Sequence, residues 1–193
     1  MFKDSIVLIV LLCVVLGANS SEARRYNLDI QSGSLMGLVH VSIGTAFWQR
    51  HNLSAGIGYV PKLDYHAEMA LYSFRYRYQH PKFWQFTLPS DQQVTVLPFN
   101  VGVSLLLGDD ESLYFDLPDR YPDNYYTPTG KRIVFNYQTI FMFTPELEFY
   151  IDFSVLDVGL IGYIREPDFY YDNYDFLGLD GITTWGFGMR YQF

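Results

Sequence analysis

The sequence predicts an all-β fold: a transmembrane, antiparallel, up-and-down β-barrel over residues 24–193, with eight strands as the leading count and ten as the alternative. Three observations carry this. Apolar and polar residues alternate with a period of two along most of the chain, which is the mark of strands with one apolar face. After Ala23 no apolar run is long enough for a spanning helix, which needs about 20 residues. Finally, 19% of the residues are aromatic, including 17 Tyr and 16 Phe. Mean hydropathy is nevertheless only +0.02, so ring-rich faces must be offset by polar ones.

The remaining composition narrows the class. With 193 residues, 49% of them hydrophobic, the chain is no disordered polymer. A formal charge of −8 and a pI near 4.8 argue against a nucleic-acid partner, whose phosphates it would repel. The one cysteine, Cys13, excludes a disulfide scaffold and a multi-Cys zinc site. GxSxG, P-loop, dinucleotide-fingerprint and HExxH motifs are absent, so neither a cofactor nor a metal is expected.

Residues 1–23 read as a signal peptide. Lys3 supplies the basic n-region, Ile6 to Leu16 form an apolar h-region, and Ser21-Glu22-Ala23 fits a small-x-small cleavage site. Cleavage after Ala18 or Ser20 is an alternative. Losing Lys3, Asp4 and Glu22 leaves 12 basic and 19 acidic residues and no cysteine.

The strands follow in order. Residues 26–32 open the barrel. In residues 38–47, Val39, Val41, Ile43 and Phe47 oppose His40, Ser42, Gly44 and Ala46. Residues 53–60 are next, and residues 67–79 set Tyr72, Phe74, Tyr76 and Tyr78 against Ser73, Arg75, Arg77 and Gln79. In 94–107, Leu97, Phe99, Val101, Val103, Leu105 and Leu107 oppose Asn100, Gly102 and Ser104, although Pro98 is awkward in a paired ladder. In 132–143, Ile133, Phe135, Tyr137, Phe141 and Phe143 oppose Asn136 and Gln138. Residues 146–164 read as one long strand whose apolar phase switches at Leu156, so a bulge or bend is expected there. The last strand, 184–193, alternates Trp185, Phe187, Met189, Tyr191 and Phe193 with Thr184, Gly186, Gly188, Arg190 and Gln192.

Connection lengths give the orientation. Residues 108–131 and 165–181 are long and acidic and read as outer loops, while Thr144-Pro145 is a short turn at the other end. The 80–93 connection is long for that end. Ten strands would follow if Gly108-Asp109-Asp110 turned a hairpin into an extra strand at 113–117 and if the long strand broke at Val155-Leu156. Alternation of this kind also occurs in soluble sandwiches. Here, however, the polar faces are rich in Gly, Ser and Ala, which suit a narrow lumen, and Tyr, Phe and Trp cluster near strand ends as interfacial girdles do. Open sheet edges are unsatisfied in lipid, so membrane strands must close.

The terminal WGFGMRYQF, ending on an aromatic residue with apolar residues at alternate positions behind it, resembles the closing strand of bacterial outer-membrane β-barrel proteins. The resemblance implies integral placement in the outer membrane of a Gram-negative bacterium. It also implies that Tyr191 and Phe193 belong to the signal read by the barrel-assembly machinery.

Residues able to do chemistry are few. His40 and Ser42 share one strand face, and a Ser–His pair is how a hydroxyl nucleophile is activated. His40-Val41-Ser42 resembles the His-x-Ser motif of outer-membrane lipid A deacylases. It departs from that pattern where Ile43 and Gly44 follow in place of an Asn, and no acidic partner can be assigned. A hydrogen-bonded polar pair in the lumen is the plainer reading. Arg75 and Arg77 could meet Glu148 and Asp152 in the lumen, as an ion-selecting constriction or as a structural network filling a narrow barrel. The acidic clusters Asp109-Asp110-Glu111 and 166–180 lack calcium-loop spacing, and their neighbours Tyr125, Tyr126, Tyr170, Tyr171 and Tyr174 suit either recognition or the membrane interface. The expected function is therefore a non-enzymatic outer-membrane barrel whose acidic, Tyr-rich outer loops contact envelope or extracellular components. Its expected partners are the lipid bilayer and lipopolysaccharide. The alternatives are a lipid A acyl-chain hydrolase using His40 and Ser42, and a soluble periplasmic barrel binding an apolar ligand.

Overall fold

The structure, a computed structural model, describes residues 26–48, 50–62, 68–109, 130–172 and 183–193. The strands are β1 (Tyr26–Gly33), β2 (Val39–Phe47), β3 (His51–Val60), β4 (Met69–Gln79), β5 (Trp84–Thr87), β6 (Gln93–Asp109), β7 (Lys131–Met142), β8 (Leu147–Leu156) and β9 (Thr183–Gln192). Two helices, α1 (Asp157–Arg165) and α2 (Pro167–Asp172), lie between β8 and β9. Every pairing is antiparallel. Bonding of β1 to β9 and of β4 to β6 closes eight strands into a barrel, as the alternation predicts, and leaves β5 outside the ring.

The register fixes the size of the ring. Stepping across paired residues from Tyr26 leads through Thr45, Leu53, Tyr76, Val103, Phe135 and Val155 to Thr183. Gly33 pairs with Gly186, so Thr183 stands level with residue 36, ten positions beyond the start. With ordinary strand spacings, eight strands and a stagger of ten give a tilt of about 40° and a radius of about 8 Å. A ten-residue strand at that tilt spans about 25 Å, the height of an apolar barrel band. So narrow a lumen is filled by side chains.

Tyr26 and Phe193 lie side by side, each backbone N–H donating to the other's carbonyl at 3.0 and 2.8 Å. This defines a termini rim, which also carries the turns at 48–50 and 143–146. The opposite rim carries the longer connections. Its shortest turn, between β1 and β2, places Gly33, Ser34, Leu35 and Gly37 in the left-handed region. That folds the turn inward, so Met36 and Leu35 seal the lumen against Leu106, Val134 and Leu156. Toward the termini rim, Leu97, Ile140 and Tyr150 form a second apolar layer.

Three expectations are corrected. First, β8 ends at Leu156 instead of running to residue 164, and α1 follows. The last pairs of β8 are Val134–Leu156 and Val155–Thr183. Beyond them no strand among the described residues pairs with the chain, and the backbone satisfies its own hydrogen bonds by coiling. Leu160, Ile161 and Ile164 fit that helix through their 3–4 spacing, and Asp157 Oδ2 closes the ladder by accepting from the Ile133 N–H at 3.1 Å. Second, the break at Val155-Leu156 makes no further strand. The other proposed extra strand, 113–117, lies outside the described residues, as do the signal peptide and most of both acidic loops. Third, the 80–93 connection contains β5. At 17 residues β6 outruns β4, and β5 takes over its edge from Trp84–Val96 to Thr87–Gln93. Pro98 sits between these pairings, at the register shift between Leu97 and Asn100. Its carbonyl accepts from the Tyr137 hydroxyl at 2.5 Å, so the missing N–H interrupts the ladder where it is already interrupted.

Candidate functional site

The period of two decides what points inward. Along β1, Asn27, Asp29 and Gln31 are buried while Tyr26, Leu28 and Ile30 are exposed. The same division sends Arg75 and Arg77 of β4, Asn136 and Gln138 of β7, Glu148, Tyr150 and Asp152 of β8, and Arg190 of β9 into the lumen. Trp185 and Phe187 of β9 stand outside, 67% and 70% exposed. This inverts the distribution of a soluble barrel. Charges are inside and the largest apolar side chains are outside.

Three buried arginines, Arg75, Arg77 and Arg190, meet three buried carboxylates, Asp29, Glu148 and Asp152. Arg190 bridges two of them, donating from Nε to Asp29 Oδ2 at 2.9 Å and from Nη1 to Glu148 Oε2. Glu148 also accepts from the Gln192 amide, and Asp29 accepts from the Tyr150 hydroxyl at 2.6 Å. The Arg190 guanidinium lies 4.9 Å from the centre of the Tyr150 ring. Asp152 is held by two glutamines, whose Nε2 groups donate to its Oδ2: Gln31 at 3.1 Å and Gln138 at 3.0 Å. Each glutamine carbonyl accepts from an arginine, Gln31 from Arg75 at 2.7 Å and Gln138 from Arg77 at 2.8 Å. Arg77 Nη2 also donates to Asn52 at 3.1 Å. Buried charges are costly unless paired and hydrogen-bonded, and side chains from six strands meet most of that demand here, with Arg75 Nε left without a hydrogen-bond partner among the described residues.

The four residues singled out in the sequence, Arg75, Arg77, Glu148 and Asp152, therefore all lie in the lumen. Arg75 and Arg77 reach Asp152 through glutamines, while Glu148 is held by Arg190 and Gln192. Sequence reasoning missed Asp29, Gln31, Gln138, Tyr150 and Arg190 as members. Their inward phase was readable, but which polar residues meet across the lumen depends on the stagger of the closed ring.

His40 and Ser42 also point inward, 1% and 4% exposed. The structure brings His40 to Ser73, with Nε2 2.7 Å from Oγ, a contact from β2 to β4 that passes over Gly56 of β3. Ser42 thus faces the polar lumen, on the side of the wall opposite the exposed apolar rows. An apolar-ligand carrier needs an apolar interior, and this one is filled by the charged network. Among the described residues no group of three or more His, Cys, Asp or Glu is placed to hold a metal. Tyr191 and Phe193 are exposed, with rings stacked 6.5 Å apart, and Tyr26 lies 6.2 Å from Phe193. Of the loop tyrosines, Tyr171 is exposed on α2; Tyr125, Tyr126 and Tyr174 lie outside the described residues.

A small closed antiparallel β-barrel with an inverted polarity is the class this fold and interior define. Among solved structures, the chain is similar to the N-terminal β-barrel domain of Pseudomonas aeruginosa OprF, with a TM-score of 0.40 and 10% sequence identity over 88% of this chain and 96% of that one. No protein-family model matches the chain, and no curated protein does.

Proposed function

We propose that the chain is a non-enzymatic integral barrel of a Gram-negative outer membrane, closed to solutes, that presents its longer connections to lipopolysaccharide and other envelope or extracellular components. The observation that carries this reading is the inverted polarity. The outward rows of the eight ring strands are predominantly apolar over about 25 Å, matching a bilayer, and a closed ring has no edge to leave unsatisfied in lipid. The interior supports the closed state. Its three arginines and three carboxylates balance, so it carries no net charge to select an ion; the apolar cluster around Met36 caps the network at the loop rim, and Leu97 and Ile140 pack against its Tyr150. An exposed Tyr26–Tyr191–Phe193 cluster at the termini rim fits an interfacial girdle and the proposed assembly signal.

The test is fractionation with gel mobility and conductance. The mature chain should sediment with the outer membrane, migrate differently before and after boiling in detergent, and give no ion-conducting steps in a planar bilayer. A chain soluble without detergent would overturn the membrane assignment, and steady conductance would overturn the closed lumen.

A further inference from the structure

We propose that the β1–β2 turn is a strained stopper that can leave its seat, so that closure of the loop-rim mouth is one of two states of the barrel. The inference deepens the closed-lumen reading above and rests on it. The turn is closed by the Met36 N–H, which donates to the Gly33 carbonyl at 3.0 Å. Between them Ser34 and Leu35 have φ of +55° and +65°. Positive φ at both central residues is the type I′ form, which Asn and Gly favour because a left-handed residue brings its Cβ close to the following carbonyl oxygen. A serine and a leucine thus hold the shortest turn of the loop rim in a conformation that suits neither. Such strain persists only where surrounding contacts impose it.

Those contacts form the seat. Met36 is fully buried against Leu106 and Val134. The Ser34 hydroxyl donates to the Asp152 carbonyl at 3.1 Å, and its N–H donates to the Trp185 carbonyl at 3.0 Å. The strands on either side make room for the turn. A Cβ at position 58 of β3 would run into the Met36 carbonyl, and one at position 186 of β9 would lie 2.6 Å from Ser34 Oγ; both positions are glycine. Directly beneath the turn is the His40 ring, whose Cδ2 is 3.4 Å from that same Cβ position at Gly58. His40 Nδ1 and Arg75 Nε find no hydrogen-bond partner among the described residues. The wall beside them is built of small side chains, with Ser42, Gly56 and Ser73 level on β2, β3 and β4. When the turn lifts, entering water gives both orphaned atoms a partner, and Ser34 and Leu35 shed their strain. The apolar cluster and the two Ser34 bonds oppose this, and the seat wins at rest. Lifting the turn opens the His40 layer to water from the loop rim.

The experiment treats the folded mature chain in detergent micelles with diethyl pyrocarbonate, a small water-soluble reagent that acylates imidazole, and locates the adducts by peptide mass spectrometry. In wild type His40 should react slowly, well behind His80 at the termini rim. Met36→Lys, whose charge cannot stay in the apolar cluster, should speed the His40 reaction at least about tenfold. Met36→Cys with Leu106→Cys, once oxidised, should slow it at least about tenfold, and reduction should restore it. Gly188→Ala, which strains the network without touching the turn, should leave it at the wild-type rate. Heat-modifiable migration shows that each variant is folded. A His40 rate that Met36→Lys leaves unchanged overturns the stopper alone, as does equal acceleration by Gly188→Ala or a wild-type His40 that never reacts. Steady conductance of wild type in a planar bilayer overturns the closed lumen and the stopper together.

Discussion

Arg75 is joined to Asp152 by a single glutamine. The carbonyl of Gln31 accepts from the guanidinium at 2.7 Å, and its amide donates to the carboxylate at 3.1 Å. Gln138 repeats the arrangement between Arg77 and the same carboxylate oxygen. Each glutamine must face one way, carbonyl toward arginine and amide toward aspartate, so the two charges orient both relays. Asp152→Asn removes the negative charge that sets this polarity, turns one acceptor oxygen into a donor and leaves a buried positive charge uncompensated. Stability in lipid vesicles should fall by about 3–5 kcal/mol, read as a lower urea midpoint. Adding Arg75→Gln to Asp152→Asn should recover about 1–3 kcal/mol through the coupling of the two sites. Strictly additive losses would mean that the relay carries no energy.

Tyr150 crosses the lumen over Gly188. A Cβ at position 188 would run into the Tyr150 hydroxyl, which donates to Asp29 at 2.6 Å. Gly188→Ala should therefore cost about 1–3 kcal/mol by overpacking. Tyr150→Phe should cost about 1–3 kcal/mol by depriving Asp29 of a donor. The ring carbon Cζ and the Ile30 carbonyl crowd the new methyl group as well, so Gly188→Ala already pushes the Tyr150 ring off Asp29; the double variant loses that hydrogen bond only once, and its loss should be smaller than the sum of the two. Equilibrium unfolding of the three proteins decides this.

The outer wall gives opposite outcomes for a membrane barrel and a soluble one. Phe187 lies near mid-height on β9 and is 70% exposed. In a bilayer, Phe187→Arg should destabilise by about 2–4 kcal/mol, and Tyr59→Arg near the loop rim by about 0–1 kcal/mol. On a soluble surface both substitutions would fall within about 0.5 kcal/mol of neutral. Unfolding titrations in vesicles measure the difference.

Met36 should respond as a core residue although it belongs to a turn. It is fully buried against Leu106 and Val134 at the loop rim. Met36→Ala should cost about 2–5 kcal/mol. Loss of the seal should also speed hydrogen exchange at β2 amides near that rim, such as that of His40, measured by mass spectrometry in micelles.

Much of this was legible in the sequence because a strand writes its two faces in alternate letters. The outward rows through Phe187 and Ile43 and the inward placement of Arg75, Asp152 and His40 all follow from phase alone. Two kinds of feature did not. Helix α1 was hidden because Leu160 and Ile164 suit a strand as well as a helix, and only the end of pairing at Leu156 separates the two. The partners of each lumenal group were hidden because contact across the ring depends on the stagger. His40 and Ser42 are neighbours in sequence, yet the ring nitrogen meets Ser73. Tyr150 has a readable inward phase, but among the described strand residues it is the phenyl-type ring that turns inward, where Gly188 beside it leaves the space.

The salt bridge between Asp29 and Arg190 joins the first strand to the last, 161 residues apart. Asp29 is therefore made early and stays without its counter-charge until almost the whole chain exists. The same holds for Gln31, which meets Asp152 only 121 residues later. In the proposed membrane placement, a leading hairpin that entered lipid alone would carry an unpaired carboxylate into it. The chain must be kept in a wetted, unfolded form until its last strand arrives, and ring closure and burial of charge must then occur as one event.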